Sequence, residues 1–432
     1  MSQVSTGANY VVDNSTGANV RADINEIFDA ILTMNSGASE PAYRKAYTFW
    51  ADTGNNLLKM RNSANDGWIS LRTLTGGVTT TADATINSIT VGKGANSVAG
   101  NTVLGESALD ASVSGGNNTA IGNSALGALT SGQANVAVGK EALKTATTPN
   151  HNTAVGHQAL KATTTGGFNT ASGSNTLAVN TTGQYNDAHG YAVLTANTTG
   201  NYNSGFGYYN LGVNTTGSNN VAVGAFVLDA NTTASENTGV GYNSLGANTT
   251  GNSNVAVGAY SLDANTTANN NTAVGYNSLT ANTTGTRNAA VGSLALDANT
   301  TGGNNVALGS HTLTNATTAS NNTAVGDGAM AANTTGASNV AVGANALDAN
   351  TTASNNTAVG DNALGANTEG SENTAVGRSS MADNTTGNQN TAVGRFALQV
   401  NTTGTANVAV GALALDANTT ASGNVAIGRS NS

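Results

Sequence analysis

Apolar and polar residues follow a fixed order along most of this chain, and the order repeats every 17 residues. Asn recurs at this interval from Asn101 to Asn424, and Gly follows four residues later each time. A typical repeat is Asn254–Asn270, with the sequence NVAVGAYSLDANTTANN. If the Asn is position 1, position 9 is Leu in every complete repeat except two, which carry Met330 and Met381.

This repeat predicts a parallel β-solenoid. Positions 2 to 5 of the repeat are, in order, a polar residue or Val, then Ala, then Val, then Gly. This alternation has a period of two, which places the side chains of positions 2 and 4 on one face of a strand. The common helical repeats need about 33 residues or more, so 17 residues are too few. The Asn-Thr-Thr-Gly segments supply turn residues that tolerate unusual backbone angles. We therefore expect about twenty coils, stacked roughly 4.8 Å apart in a rod on the order of 95 Å long.

Stacking assigns each position of the coil to the interior or the surface. Val at position 4 and Leu at position 9, such as Val257 and Leu262, are expected to fill the interior, with Ala at positions 3, 8 and 11 keeping the coil narrow. Asn254 and its equivalents are expected to form a ladder of side-chain amides. Gly258 marks a glycine column at position 5. The variable positions 6, 7, 10, 16 and 17 are expected to face solvent.

A second period of two coils is visible at position 10. Asp occupies this position in alternate coils at Asp229, Asp263 and Asp297. Carboxylates in adjacent coils, about 5 Å apart, repel each other, and the wider spacing avoids that repulsion. Duplication of a two-coil unit explains the pattern equally well.

The repeat resembles the head domains of trimeric autotransporter adhesins, in which Asn-x-x-Ala-Val/Ile-Gly-x-x-Ala coils form a parallel β-roll. Matching stretches include Asn271-Thr-Ala-Val-Gly275 and Asn424-Val-Ala-Ile-Gly428, and about three quarters of the chain is covered. The resemblance implies left-handed coils and a homotrimer that buries small Ala and Gly residues. Those adhesins usually have shorter coils, a signal peptide, a coiled-coil stalk and a membrane barrel. We expect that this chain does not anchor itself as they do.

The N-terminal region differs in composition from the repeats. Residues 1–76 are predicted to form a small α+β module, 77–100 a junction with an irregular first turn, and 101–432 the solenoid. An apolar stripe predicts one amphipathic helix, and its residues are Val20, Ile24, Ile27, Phe28 and Ile31. Three short strands are predicted at 47–50, 57–60 and 68–71.

Four stretches of this module are similar to the N-terminal module of tail-fibre proteins from marine phages. They are Asn9-Tyr-Val-Val-Asp13, Gly17-Ala-Asn-Val-Arg-Ala-Asp-Ile-Asn25, Phe49-Trp-Ala-Asp-Thr53 and Met60-Arg-Asn-Ser-Ala-Asn-Asp-Gly-Trp68. The resemblance extends over residues 1 to about 75. It implies that the module attaches a fibre to a phage tail. A cap that covers the open edge of the first coil is the alternative interpretation.

Composition and charge narrow the function classes. Only 9% of residues are charged and the net charge is -9, whereas phosphate binding needs clustered Lys and Arg, so we expect no nucleic-acid partner. The absence of cysteine excludes disulfides and thiolate metal sites. Residues 1–13 lack the features of a secretory signal. The sequence contains no run of 18 apolar residues, so no membrane-spanning helix is predicted. Release by lysis inside a phage particle fits these features.

The repeats offer no pattern typical of an active site. Phage spikes that cut polysaccharide place paired carboxylates in a groove built by loops, and coils of constant length carry no inserted loop. The histidines lie at scattered coil positions and form no metal-binding pattern; they are His151, His157, His189 and His311. We expect no catalytic residues, no cofactor and no metal site.

Aromatic and basic residues at the variable positions are the candidate receptor-binding surface. Exposed rings suit stacking on sugars or contact with proteins, and the alternative is that they stiffen the coil or lie in a subunit interface. The aromatic candidates are Phe168, Tyr185 and Tyr202 at position 17, and Tyr191, Tyr208, Tyr209, Phe226, Tyr242, Tyr260 and Tyr276 at positions 6 and 7. At position 6, Arg378, Arg395 and Arg429 are candidates for binding acidic polysaccharide, with solubilising charge as the alternative.

Together these features predict a tail fibre in a phage virion, extracellular after lysis. We expect a homotrimer that attaches through its N-terminal module to a tail or adaptor protein and presents a rigid β-roll to polysaccharide or protein of the host surface. A bacterial or extracellular adhesin filament is the alternative, although no export signal is evident. An ice-binding solenoid is the third reading. Adjacent Thr residues in a strand point to opposite faces, so each coil would offer ice only one Thr column.

Overall fold

The computed structural model describes residues 37–40, 49–73 and 83–429. Over these residues the protein is nearly all β, and its one helical element is the single 3-10 turn Ala95–Ser97. The chain divides into two compact units, Met1–Lys93 and Gly94–Ser432. The predicted N-terminal helix lies outside the described residues.

The first unit contains a three-stranded antiparallel sheet. Its strands are β1 (Phe49–Asp52), β2 (Leu57–Arg61) and β3 (Trp68–Thr73), paired in the order β1-β2-β3. Trp50 is buried, its ring centroid lies 5.3 Å from that of Trp68, and its Nε1 donates a hydrogen bond to the carbonyl of Gly37. The three predicted strands are therefore confirmed over the described residues, with each strand ending one to two positions later than predicted; residues 47 and 48 of the first predicted strand lie outside the described residues.

A β-hairpin occupies part of the segment that was predicted to be irregular. Strand β4 (Ala84–Ile86) pairs antiparallel with β5 (Ile89–Gly92). The two connecting residues, Asn87 and Ser88, have φ values of 49° and 68°. Two left-handed residues are the conformation of a two-residue hairpin turn. The prediction was wrong here because Asn-Ser lacks the glycine that usually signals such a turn.

The second unit is a β-solenoid with one parallel strand in each coil. Neighbouring strands pair in register 17 residues apart, so that Val255 lies beside Thr272. Most strands span positions 2 to 4 of the coil. The strands are β6 (Thr102–Gly105), β7 (Thr119–Ile121), β8 (Val136–Val138), β9 (Thr153–Val155), β10 (Thr170–Ser172), β11 (Asp187–Tyr191), β12 (Ser204–Tyr208), β13 (Val221–Ala225), β14 (Thr238–Val240), β15 (Val255–Val257), β16 (Thr272–Val274), β17 (Ala289–Val291), β18 (Val306–Leu308), β19 (Thr323–Val325), β20 (Val340–Val342), β21 (Thr357–Val359), β22 (Thr374–Val376), β23 (Thr391–Val393), β24 (Val408–Val410) and β25 (Val425–Ile427). The predicted fold class is confirmed.

Backbone hydrogen bonds also join the coils outside the strands. The N–H of Tyr260 donates to Tyr242 in the preceding coil at 2.9 Å, whereas the N–H of Leu262 donates to Ser278 in the following coil at 3.0 Å. Positive φ angles occur at positions 5, 7, 9 and 17, and Leu262 has a φ of 51°. A left-handed conformation costs an L-residue roughly 1–2 kcal/mol, which the inter-coil bonds offset. The prediction that the Asn-Thr-Thr-Gly segments hold the unusual angles was wrong.

The interior of the coil is built from positions 3, 8 and 9. Ala256 and Leu262 are fully buried, as predicted for their positions. The prediction that Val257 fills the interior was wrong, because positions 2 and 4 share the outward face and Val342 at position 4 is 37% exposed. Alternation defines two faces of a strand but not which face is inside. Ala at position 11, such as Ala264, is only half-buried, so this part of the prediction was also wrong.

Volume is conserved where a coil departs from this interior pattern. Gly205 occupies position 3 in place of Ala, and a Cβ atom placed there would lie 2.4 Å from Cγ1 of Val193 at position 8 of the preceding coil. Gly239 and Val227 form the same pair, with the same 2.4 Å approach. The larger Val therefore fills the space left by the missing methyl group, as close packing requires.

The predicted amide ladder at position 1 is confirmed. Both the backbone N–H and the Nδ2 of Asn271 donate to Oδ1 of Asn254, at 3.0 Å and 3.3 Å. The Nδ2 of Asn254 also donates to the carbonyl of Ala268 in its own coil at 2.9 Å. Each fully buried amide thus satisfies backbone groups in two coils, which explains why the Asn recurs without a gap.

A second amide ladder at position 12 was missed in the sequence. The Nδ2 of Asn265 donates to Oδ1 of Asn248 at 2.8 Å and to the carbonyl of Ala268 at 3.2 Å. These side chains are fully buried, although the Asn-Thr-Thr segment was interpreted only as turn chemistry. The signal that was available is the recurrence of this Asn from Asn180 to Asn418, with the same 17-residue period as position 1.

The second ladder has one interruption, and we predict that repairing it stabilises the protein. Ala316 replaces Asn at position 12, and the buried Oδ1 of Asn299 in the preceding coil has no hydrogen-bond partner among the described residues. The variant Ala316→Asn supplies a donor to Asn299 and an acceptor to Asn333. We expect the free energy of unfolding to rise by about 1–2 kcal/mol, measured by urea denaturation.

A matched control lies next to this position. Asn315 is exposed at position 11, where most coils carry Ala, so Asn315→Ala should change the free energy of unfolding by less than about 0.5 kcal/mol. An Ala316→Asn variant that is less stable than the parent would contradict the ladder interpretation.

Candidate binding surface

Four rings at position 17 form a continuous stack on successive coils. His151, Phe168, Tyr185 and Tyr202 have neighbouring centroids 4.9–5.0 Å apart and interplanar angles of 20° or less. The predicted residues Phe168, Tyr185 and Tyr202 are therefore brought together, and His151 extends the stack. Because each ring covers the face of the next, the inner rings Phe168 and Tyr185 present mainly their edges to solvent.

The rings at positions 6 and 7 are arranged differently. From Tyr208 through Phe226, Tyr242 and Tyr260 to Tyr276, successive rings meet at interplanar angles of 72–85° and centroid distances of 5.3–6.4 Å. This is an edge-to-face series, in which neighbouring rings do not cover each other as parallel plates. The predicted candidates Tyr191 and Tyr209 join its start, Tyr191 by stacking on Tyr208 at 5.5 Å.

The edge-to-face series results from an alternation with a period of two coils. Tyr208, Tyr242 and Tyr276 occupy position 6 in alternate coils, and Ala225 and Ala259 occupy this position in the coils between them. The Ala-containing coils instead carry their ring at position 7. The position-6 tyrosines are 47–53% exposed, whereas the position-7 rings are half-buried. The position-7 rings therefore serve as spacers between the exposed tyrosines.

A further ring pair on the outward face of the strands was missed in the sequence. His189 and Phe206 at position 4 stack with centroids 5.0 Å apart and an interplanar angle of 6°. They were overlooked because position 4 had been assigned to the interior. Their spacing of 17 residues was the signal that identifies such pairs.

Comparison with known proteins identifies no relative. No protein-family model, curated protein or solved structure matches this chain.

Two of the three basic candidates lie around one aromatic ring. The guanidinium carbons of Arg378 and Arg395 lie 6.0 Å and 4.9 Å from the ring centroid of Phe396. Arg378 also forms an ion pair with Asp361 at 3.5 Å. Arg429 lines a cavity of about 560 Å³ formed by the last described coils. Arg378 and Arg395 thus have partners within the chain. These contacts are compatible with a structural or solubilising role and with a binding role, and they do not distinguish between them.

Four aspartates at position 10, Asp229, Asp263, Asp297 and Asp348, are half-buried. Burial raises the pKa of Asp229, Asp297 and Asp348 above the usual range, against the effect of their backbone hydrogen bonds. Burial and then the charge of Asp229 raise the pKa of Asp263. Carboxylates two coils apart therefore still interact, so the wider spacing reduces their repulsion without removing it.

The Thr-Thr pair that most coils carry lies in a bend rather than in a strand, which corrects the geometry assumed for an ice-binding face. Thr266 at position 13 is half-buried, and its Oγ1 donates to the carbonyl of Thr283 in the next coil at 3.3 Å. Thr267 at position 14 is exposed. A single exposed Thr column therefore remains, at position 14, for a different reason from the one predicted.

Metal and membrane features were searched over residues 37–40, 49–73 and 83–429. No group of three or more His, Asp or Glu side chains in these residues is placed to hold a metal ion. No helix in the same residues is long and apolar enough to cross a bilayer.

Proposed function

We propose that this chain is a structural and adhesive fibre of a phage tail, whose N-terminal module attaches to a tail or adaptor protein. A β-solenoid of this kind is compatible with a structural or adhesive role. The observation that carries the proposal is the strict 17-residue register of every coil from Asn101 to Asn424. Continuous ladders make a stiff body with no inserted loop, which suits the presentation of a surface at a distance.

The phage assignment rests on the N-terminal stretches that resemble tail-fibre modules. It is tested by locating the chain in virions, with antibodies raised against coils 254–287 and immunogold electron microscopy. We expect label on the tails. Label on the bacterial surface and none on virions would favour the alternative, an adhesin filament. Thermal hysteresis of the purified chain tests the third reading, in which the exposed Thr column binds ice.

We further propose a homotrimer, formed through the outward face of the strands. The small Ala residues at position 3 lie inside the coil, so they are not available for the interface that the resemblance implied. The outward face instead carries mainly Thr or Val at position 2 and mainly Val at position 4. Val155, Val223 and Val291 at position 4 are 37–40% exposed. An apolar strip of this length is typical of an interaction surface, and a second copy of the chain offers a strip with the same repeat.

The trimer predicts a specific effect of charge on this strip. Replacement of Val257 and Val291 by Glu is expected to convert a species of three times 42.5 kDa into monomers, because two buried carboxylates would lack partners. Sedimentation equilibrium measures this change. The control is Thr267→Glu at exposed position 14, where Glu369 already occupies the equivalent site. A parent chain that sediments as a monomer would exclude the trimer.

A further inference from the structure

We infer that Tyr208, Tyr242 and Tyr276, here called the tyrosine row, bind an extended, uncharged glycan that runs along the solenoid axis. This inference deepens the proposed adhesive function, on which it rests, by naming the chemical class of the receptor.

The spacing of the tyrosine row is the first argument. Its members lie two coils apart, which is about 10 Å at the usual distance between neighbouring strands. In an extended chain of equatorially linked sugars, successive residues are turned over, so that alternate sugars present the same face. The two-sugar repeat of such a chain is close to two coil spacings. Every second sugar can therefore meet an equivalent ring.

The accessibility of the ring faces is the second argument. Sugars with equatorial substituents present flat C–H faces, which pack on aromatic ring faces as other apolar groups do. The members of the tyrosine row meet the position-7 rings Phe226 and Tyr260 at 72–85° and are 47–53% exposed. Tyr208 is also stacked on one side by Tyr191, whereas Tyr242 and Tyr276 have no parallel ring beside them among the described residues. The rings at position 17 are exposed to a similar extent, yet they cover each other as parallel plates. Exposure alone does not distinguish the two groups, but the orientation of their rings does.

The charges and polar groups beside the row are the third argument. Residues 186–286 contain no Lys and no Arg, and their ionisable side chains are His189, carboxylates and tyrosine phenols. An anionic polysaccharide would find no fixed positive charge here. Asn243 and Asn277 stand at position 7 next to Tyr242 and Tyr276. The Nδ2 of Asn243 donates to the carboxylate of Asp263, so its Oδ1 is the atom that would accept a hydrogen bond from a sugar. Amides of this kind donate and accept hydrogen bonds and so suit sugar hydroxyls.

The test measures binding of cellohexaose, an extended β-1,4-linked probe, to the full chain by isothermal titration calorimetry. We expect saturable binding of cellohexaose and none of maltohexaose, whose α-linkages curve the chain. Tyr242→Ala is expected to weaken the binding about ten-fold, and replacement of all three tyrosines by Ala should abolish it. The matched control Tyr185→Ala, similar in exposure but covered on its faces, should leave the binding unchanged.

A second variant separates spacing from ring number. The double change Tyr242→Ala and Ala259→Tyr keeps three rings at position 6 but breaks the two-coil interval. Ala259 lies beside Tyr260, and the neighbours Tyr208 and Tyr209 show that two tyrosines fit together there. We expect this variant to bind as weakly as Tyr242→Ala.

Three outcomes would overturn the inference: no saturable binding of cellohexaose, binding that survives loss of the three tyrosines, or full binding by the shifted variant. The row is exposed, so the variants should keep the thermal unfolding of the parent. The fibre proposal is tested independently by virion labelling. A chain that is located on tails but does not bind the probe would therefore overturn only the glycan inference.

Discussion

Replacement of Gly258 by Ala is expected to lower the free energy of unfolding by about 4 kcal/mol or more. Gly258 has a φ of +134°, a conformation that L-residues essentially never adopt. A Cβ atom there would also lie 2.4 Å from the carbonyl oxygen of Gly275 in the next coil. The close contact and the φ angle both involve backbone atoms, so no side-chain rotation relieves them. Adjacent coils would have to separate.

The effect of Gly258→Ala is best measured by hydrogen exchange, because a repeat protein need not unfold in one step. We expect faster exchange in the coils that contain Gly258 and Gly275. Gly328→Ala is the matched control: Gly328 has a φ of +64°, and the nearest atom to its added Cβ would be the amide oxygen of the Asn345 side chain at 2.8 Å. Other coils place non-glycine residues at this position. Equal effects of the two changes would contradict the proposed cause.

Replacement of Asn254 by Ala should cost about 3–5 kcal/mol of the free energy of unfolding. The change removes the acceptor for the backbone N–H of Asn271 and one donor to the carbonyl of Ala268. It also leaves a cavity in a fully buried site. The exposed Asn315 is again the control, since Asn315→Ala removes an amide that bonds only to the carbonyl of Ala331. Urea denaturation compares the two variants.

The variant Asn254→Asp distinguishes hydrogen bonding from loss of volume. Aspartate keeps the shape of the side chain but loses the donor that faces the carbonyl of Ala268. Burial raises the pKa of such a carboxyl in the folded state, so its protonated form, which restores a donor, is favoured there. We expect the variant to be much less stable than the parent at neutral pH and to regain stability as the pH falls toward 4. A difference between variant and parent that does not change with pH would contradict this account.

The sequence predicted the register of the solenoid well because stacking imposes one repeat length on every coil. Any insertion would displace Leu262 and Asn254 from their columns, so the period is visible in the chain itself. The amide ladder at position 1 followed from the same logic. The matching ladder at position 12 was missed because Asn in an Asn-Thr-Thr segment also suits a turn, and only burial distinguishes the two roles.

The candidate surface was predicted in its residues but not in its geometry. The same aromatic character at positions 17, 6 and 7 gives parallel stacks in one column and an edge-to-face series in the other. The difference arises from the alternation of Tyr242 with Ala259 at position 6. The angle between neighbouring rings depends on the side-chain torsions of each residue, which the residue types alone do not specify.

The sequence by itself determined the repeat, the parallel strands, the glycine column and the columns available for binding, because these follow from periodicity and from residue size. Only the tertiary structure decided which face of the strand is inside. Val257 and Ala256 satisfy the alternating pattern equally well, and the narrow coil admits the smaller residue against Leu262. That choice leaves the valines outside, where they form the proposed interface. The interior of a thin solenoid is thus set by the space across the coil, which a one-dimensional pattern does not contain.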